Sequence, residues 1–125
     1  RAIEIAIAIY KMSEEGKLSR DFGSKDQVRR SATSISNNIA EGFEYDNNKE
    51  FIRFLKYSKG SAGELRSQLY LLVKVGYIEQ GFYEEMHSKL IEISQQIANF
   101  IKYLKKFERD KIVNKVLDIL FFFKV

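Results

Sequence analysis

The chain has 125 residues, 45% of them hydrophobic and 30% charged, with a formal net charge of +4 and no cysteine or proline. That length suits one domain with one core, and the missing cysteines exclude a disulfide framework, a thiolate metal site and a cysteine nucleophile. No apolar run approaches the ~20 residues that span a bilayer, so a cytoplasmic location is expected, and the chain opens at Arg1 without a Met or a signal-peptide pattern, as a trimmed sequence would.

Helical periodicity runs through the whole chain. The first segment, about Ala2 to Ser13, carries Ile5, Ile9 and Met12 on one stripe, and Ile3, Ala6, Ile7 and Tyr10 widen that stripe past half the circumference. A helix so apolar must bury two sides, which predicts a subunit interface as well as a core. Gly16 is its stop. The second helix is predicted over about Lys25 to Gly42, with Ser24 and Gln27 as a capping box. Val28, Ala32, Ile35, Ile39 and then Gly42 or Phe43 form its seam.

After the turn GFEYDNN, Asn47 and Glu50 form a second capping box, opening the longest helix, to about Val75. Phe51, Leu55, Ser58, Ala62, Leu65, Leu69 and Leu72 step by four and three residues along it, a seam that packs neighbouring helices near 20°. Ser31, Ser34, Ser36, Asn37, Asn38, Gly60, Ser61 and Gly63 are small or polar where a plain hairpin carries Lys, Glu or Leu. They predict specified contacts between these two helices. Lys49, Arg53 and Lys56 lie opposite the seam, with Lys59 and Arg66 part of the way round and Ile52 and Tyr70 facing outward. Gly76 fits a C′ position.

A fourth helix is predicted over about Gly81 to Lys106, with Met86, Leu90, Ile93, Ile97, Ile101 and Leu104 as its seam and a weak N-cap. Short connections between the helices predict an all-α fold, an antiparallel up-down-up-down four-helix bundle over residues 1–108. Residues 109–125 form an extra C-terminal amphipathic helix. Ile112, Val113, Val116, Leu117, Ile119, Leu120, Phe121 and Phe123 lie on one side of it, and Lys111, Asn114, Lys115 and Asp118 on the other. ILFFF left in water is an aggregation liability, so this tail is expected to pack on the bundle or on a neighbouring subunit. A membrane-surface anchor is the alternative, weakened by Lys115 and Lys124 as its only flanking cations.

The charge is unevenly spread. Between Asn99 and Lys115 stand Lys102, Lys105, Lys106, Arg109, Lys111 and Lys115 against Glu108 and Asp110, which accounts for the net excess of the chain. Such a cluster neutralises phosphates and releases counterions. The plainer reading is a solvated helix end whose cations offset the negative pole of the helix dipole.

The paired Arg29-Arg30, the run Ser34, Ile35, Asn38, Ile39, Ala40, Glu41, Gly42, and the pieces Glu50, Phe51, Arg53, Phe54, Leu55, then Gly60, Ser61, Glu64, Leu65, Gln68, Leu69, then Gly76, Tyr77, Ile78 occur in order. With them the stretch from about Ile3 to Leu104 resembles the bacterial four-helix bundle proteins encoded within intervening sequences of 23S ribosomal RNA genes. Those are also labelled S23 ribosomal proteins and are similar to the accessory variability determinant proteins of diversity-generating retroelements. The resemblance implies a barrel-like homopentamer with a basic surface and, in the retroelement relatives, binding to nucleic acid and to a reverse transcriptase. It implies no settled biochemical activity for the rRNA-encoded branch. Ser36 stands where the family often has Pro, Ser58, Lys59 and Ala62 where larger or more apolar residues are usual, and the tail from Lys111 lies outside the resemblance.

Arg30, Asn38, Glu41 and Glu64 are read as a polar cluster whose hydrogen bonds fix one helix register; a ligand or phosphate site is the alternative. His87 is the single histidine. Glu84 and His87 have the spacing of a di-iron bundle site, but that site needs a second such pair. No Arg precedes His87 at the four to six residues used by some helical ribonucleases, and no P-loop or Ser/His/Asp set is present. A non-enzymatic, cofactor-free protein is expected: a homo-oligomer that binds RNA or DNA backbone through Arg53, Lys56 and Lys59 on the third helix and Lys102, Lys105, Lys106 and Arg109 on the fourth. The runner-up is a protein-interaction scaffold, with a reverse transcriptase-like or other protein partner, or an rRNA-insertion product with no nucleic-acid role.

Overall fold

The computed structural model describes residues 1–124; Val125, the last residue of the expected tail, lies outside the described residues. The fold is all-α, with α1 over Ala2–Ser13, a 3-10 turn over Lys17–Arg20, α2 over Phe22–Glu44, α3 over Asn48–Lys74 and α4 over Gln80–Lys124, and there is no strand among the described residues. α1 packs on α2 and α4, α2 on α3, and α3 on α4. The core is the set of seams read from the sequence: Ile5 and Ile9 from α1, Val28, Ala32 and Ile35 from α2, Leu55, Ala62, Leu65, Leu69 and Leu72 from α3, and Met86 through Leu104 from α4. Ile3, Ile7 and Tyr10 cover the outer side of α1 and stay exposed. Leu18, in the 3-10 turn, is fully buried and closes one end of the core.

α2 begins three residues earlier than its sequence signals predicted. Asp21, not Ser24, is its N-cap, and its carboxylate accepts the backbone N–H of Ser24 at 3.2 Å and the Ser24 hydroxyl at 3.1 Å. Asp precedes Ser24 by the N-cap-to-N3 spacing, so the carboxylate takes the orphan donor and Ser24 becomes a helical residue. The hydroxyl of Tyr77 donates to the same carboxylate at 3.2 Å, which ties the start of α2 to the turn between α3 and α4. The Ser24 backbone N–H, then its hydroxyl, then Tyr77 hold the Asp21 carboxyl below the ordinary range, and the hydrogen bond to Asp21, followed by its charge, raises the pKa of Tyr77.

The end of α1 is fastened to α2 by Arg29. Its Nε–H donates to the Ser13 hydroxyl oxygen at 2.7 Å, its guanidinium pairs with Glu14 and lies over the Tyr10 ring 4.4 Å from the centroid. Lys25 adds a second cation 3.4 Å from Glu14. Arg29, with Lys25 behind it, lowers the pKa of the Glu14 carboxyl.

α2 and α3 meet through small side chains. The Ser58 hydroxyl donates to the Ile35 carbonyl at 2.7 Å, and the Ser61 hydroxyl donates to Ser34 Oγ at 2.8 Å. Gly42, rather than Phe43, completes the α2 seam: it is buried while Phe43 is exposed. A methyl group at Gly42 would sit 2.7 Å from Phe54 Cβ and 3.1 Å from Phe51 Cδ1. Asn47 caps α3 as expected, accepting the Glu50 N–H at 3.2 Å. At the other end Gly76 takes φ +79°, with the Tyr77 N–H donating to the Leu72 carbonyl at 2.8 Å and the Gly76 N–H to the Val73 carbonyl at 3.2 Å. This is a Schellman closure, which needs the left-handed residue that glycine supplies.

The separate C-terminal helix is not found. α4 runs without a break for 45 residues, from Gln80 to Lys124. Phe107, Glu108, Arg109 and Asp110, at the expected boundary, contain neither glycine nor proline, so nothing there costs enough to end a helix already propagating. Beyond Asp110 the helix leaves the core, and every described side chain from Lys111 to Phe123 is exposed. Of the two surfaces expected to receive the tail, the chain's own helical core does not.

Two glycines in helix interiors should respond with opposite sign. Gly42→Ala is expected to lower stability by about 1–3 kcal/mol through overpacking against Phe54. Gly60→Ala, where nothing lies within 4 Å of the added carbon, should raise it by about 0.5–1 kcal/mol. Urea unfolding of both variants checks the pair, and a stabilised Gly42→Ala would contradict the close approach. Acid titration provides a second check. Asp21 and Glu14 have folded pKa values below their unfolded ones, so their contribution is present above the ordinary carboxylate pKa of about 4 and is lost as pH falls through the folded values. Asp21→Asn should flatten the fall in Tm below about pH 4 relative to the parent chain; equal slopes would show that the cap charge carries no part of it.

Candidate nucleic-acid interface

The start of α3 faces the stretch of α4 around residue 108, because the Asn48 amide donates to Glu108 Oε1 at 2.7 Å and the Phe51 and Phe100 rings meet edge to face at 5.5 Å between centroids. That register opens a groove of about 760 Å³ lined by Lys49 and Ile52 from α3 and by Lys102, Lys105, Lys106, Glu108, Arg109 and Ile112 from α4. Helical spacing puts Lys102, Lys105, Lys106 and Arg109 on one strip of α4. Ile52 and Ile112 are the apolar part of the lining, and Lys49, Lys102, Lys105, Lys106 and Arg109 around them are exposed. None of Lys49, Lys102, Lys105, Lys106 and Arg109 is held in a salt bridge among the described residues.

The reading of this cluster as the solvated end of a helix does not survive the structure. The dipole effect is confined to the last turn, and α4 continues to Lys124, well past Arg109. The cations therefore lie mid-helix, where no helix terminus accounts for them.

The α3 candidates behave differently. Arg53 is engaged: its guanidinium donates to Glu50 Oε2 at 2.7 and 3.0 Å and to the Tyr57 hydroxyl at 3.2 Å, and it lies over the Phe54 ring at 4.9 Å. Glu50 and then Tyr57 raise its pKa. Lys56 and Lys59 are exposed, and neither they nor Arg53 lines the groove. Lys49 is the groove cation missing from the sequence-derived set. Its signal was present, since Lys49 lies opposite the α3 seam, but its partner strip is known only once the α3–α4 register is fixed.

The predicted polar cluster is not assembled. Arg30 is exposed and bonds Asp26 at 2.7 Å one turn back; the Asn38 amide donates to the Ser34 carbonyl at 2.8 Å and to its hydroxyl at 2.9 Å; Glu41 is exposed; and exposed Glu64 accepts from Gln68 at 3.3 Å. Arg30, Asn38 and Glu64 are each satisfied locally within their own helix, which costs less side-chain ordering than reaching across. The contacts that fix the α2–α3 register are instead those of Ser34, Ser58 and Ser61. His87 is half-buried and lies beside the Tyr83 ring, 5.6 Å between centroids. Among the described residues no three His, Cys, Asp or Glu side chains are grouped as a metal ion requires, and no helix is long and apolar enough to cross a membrane.

No curated protein matches the chain. Among solved structures it is similar to a protein with unknown function from the S23 ribosomal protein family of Bacteroides thetaiotaomicron VPI-5482, with 30% identity and a TM-score of 0.73 over 81% of this chain and 94% of that one. The family model described as 23S rRNA-intervening sequence protein matches residues 1–99. With its helices, its seams and that match in agreement, the chain belongs to the 23S rRNA-intervening sequence protein family.

Proposed function

We propose that the chain is an antiparallel up-down-up-down bundle that acts without enzymatic chemistry, as a homo-oligomeric adaptor for the backbone of RNA or DNA in the bacterial cytoplasm. One observation carries this reading: five cations, Lys49, Lys102, Lys105, Lys106 and Arg109, share one groove with no salt-bridge partner among the described residues. Exposed cations of this kind suit phosphates, which they neutralise without reading base edges. Lys56 and Lys59 add exposed charge on α3 beyond the groove, and Arg53, held by Glu50, adds less.

Five phosphate contacts are weak alone at physiological salt. Self-association repeats them, so that several weak contacts act as one. The exposed Ile3, Ile7 and Tyr10 on the outer side of α1 supply an apolar surface for it, and the resemblance to pentameric relatives suggests five copies. A scaffold for a protein partner, such as a reverse transcriptase-like one, is the second reading, and the exposed Tyr70 and Leu71 on α3 favour it.

Fluorescence anisotropy of a labelled RNA hairpin and a DNA duplex, titrated from low to physiological salt, tests the proposal. The triple variant Lys102→Gln, Lys105→Gln, Lys106→Gln should reduce the log–log salt slope on the duplex by about 3, roughly 0.9 for each phosphate no longer neutralised. An unchanged slope removes the groove from the mechanism. Arg53→Gln should change the slope less than Lys49→Gln does, since Arg53 is already paired.

A further inference from the structure

Residues 111–123 lie beyond the family match, which ends at residue 99. They extend α4 past its core, and their apolar side chains are uncovered: Phe121, Phe122 and Phe123 are 74%, 74% and 79% exposed. On a wheel of 100° per residue, Ile112, Val113, Val116, Leu117, Ile119, Leu120 and Phe123 occupy an arc of roughly 160°. No charged residue interrupts that arc between Ile112 and Phe123. Ile112, Val116, Ile119 and Phe123 step by four, three and four residues, the spacing of a helix-to-helix seam.

We propose that this stretch of α4 pairs with the same stretch of a second copy of the chain. The area argues for it. At about 150–250 Å² per aromatic side chain, Phe123, the phenylalanine on the arc, leaves more than about 100 Å² in water. The six aliphatics of the same arc, each about half exposed, extend it to the several hundred Å² that mark an interaction face on a monomer, toward the ~800 Å² per partner of a stable interface. A second copy brings an identical uncharged arc, so like faces like across an isologous contact. A lipid surface fits less well, because the polar side of this stretch carries Lys111 and Lys115 against Asp118 with Asn114, and so lacks the cationic excess of an interfacial helix.

Two measurements on the full chain test the pairing. In sedimentation equilibrium, Val116→Lys/Leu120→Lys should lower the weight-average mass about twofold or more at a concentration where the parent chain is associated, with unchanged helicity by circular dichroism. Asn114→Lys, on the polar side, should not lower it. Because the chain has no cysteine, single cysteines placed in turn at Ile112, Val116 and Ile119 report the contact directly: at least one should give a disulfide-linked dimer on mild oxidation, and Asn114→Cys should give none. A parent mass unaffected by the double lysine variant, or no linkage at any of the three positions, overturns the pairing. An unchanged mass above the monomer would leave self-association through the bundle standing. Co-sedimentation of the parent chain, but not of the double lysine variant, with 1:1 phosphatidylcholine–phosphatidylglycerol vesicles, without linkage, would assign the stretch to a lipid surface and likewise overturn it.

Discussion

The close approach of α2 and α3 is the constraint on which the rest of the molecule depends. Gly42 leaves no room for a methyl group against Phe54, and Ala32 and Ala62 are fully buried between the helices. The Ser58 hydroxyl reaches the Ile35 carbonyl across this contact. A larger residue in any of these places would push the helices apart and strand that buried hydroxyl without a partner. Because α3 is held at one distance from α2 on one side, its other side is left at a fixed angle to receive α4.

That placement makes α4 the element on which the parts converge. Its inner seam, from Met86 to Leu104, completes the core. A second strip, Lys102 to Arg109, faces the start of α3 and gathers cations around Ile52. Further along, the same helix leaves the core and carries an apolar arc into solvent. One unbroken backbone ladder joins the three, so the basic groove and the projecting stretch keep a fixed orientation to each other. A glycine or proline near Phe107 would have separated them.

The polar side chains sort by length. The short hydroxyls of Ser13, Ser34, Ser58 and Ser61 make contacts between elements, where position is decided by the backbone. Long side chains such as Arg30 and Glu64 find partners within their own helix, at the four-residue spacing that needs no tertiary contact. Lys25, Glu108 and Arg29 do reach across elements, and Arg29 is held by three different groups at once: Ser13, Glu14 and the Tyr10 ring.

The sequence by itself determined the helices, their apolar seams, the Asn47 cap, the Gly76 stop and the family, because each of these is written in residue spacing along one helix or in short ordered motifs. The strip of cations on α4 was legible for the same reason. Tertiary structure alone decided which residues from different helices meet. It brought Lys49 into the α4 groove, joined Tyr77 to the Asp21 cap of α2, and dispersed the expected Arg30, Asn38, Glu41 and Glu64 cluster. The physical reason is common to all three. Local periodicity fixes which face a side chain occupies, whereas the partner across that face depends on the register between helices, and that register is set by the packing of Gly42, Ser58 and their neighbours.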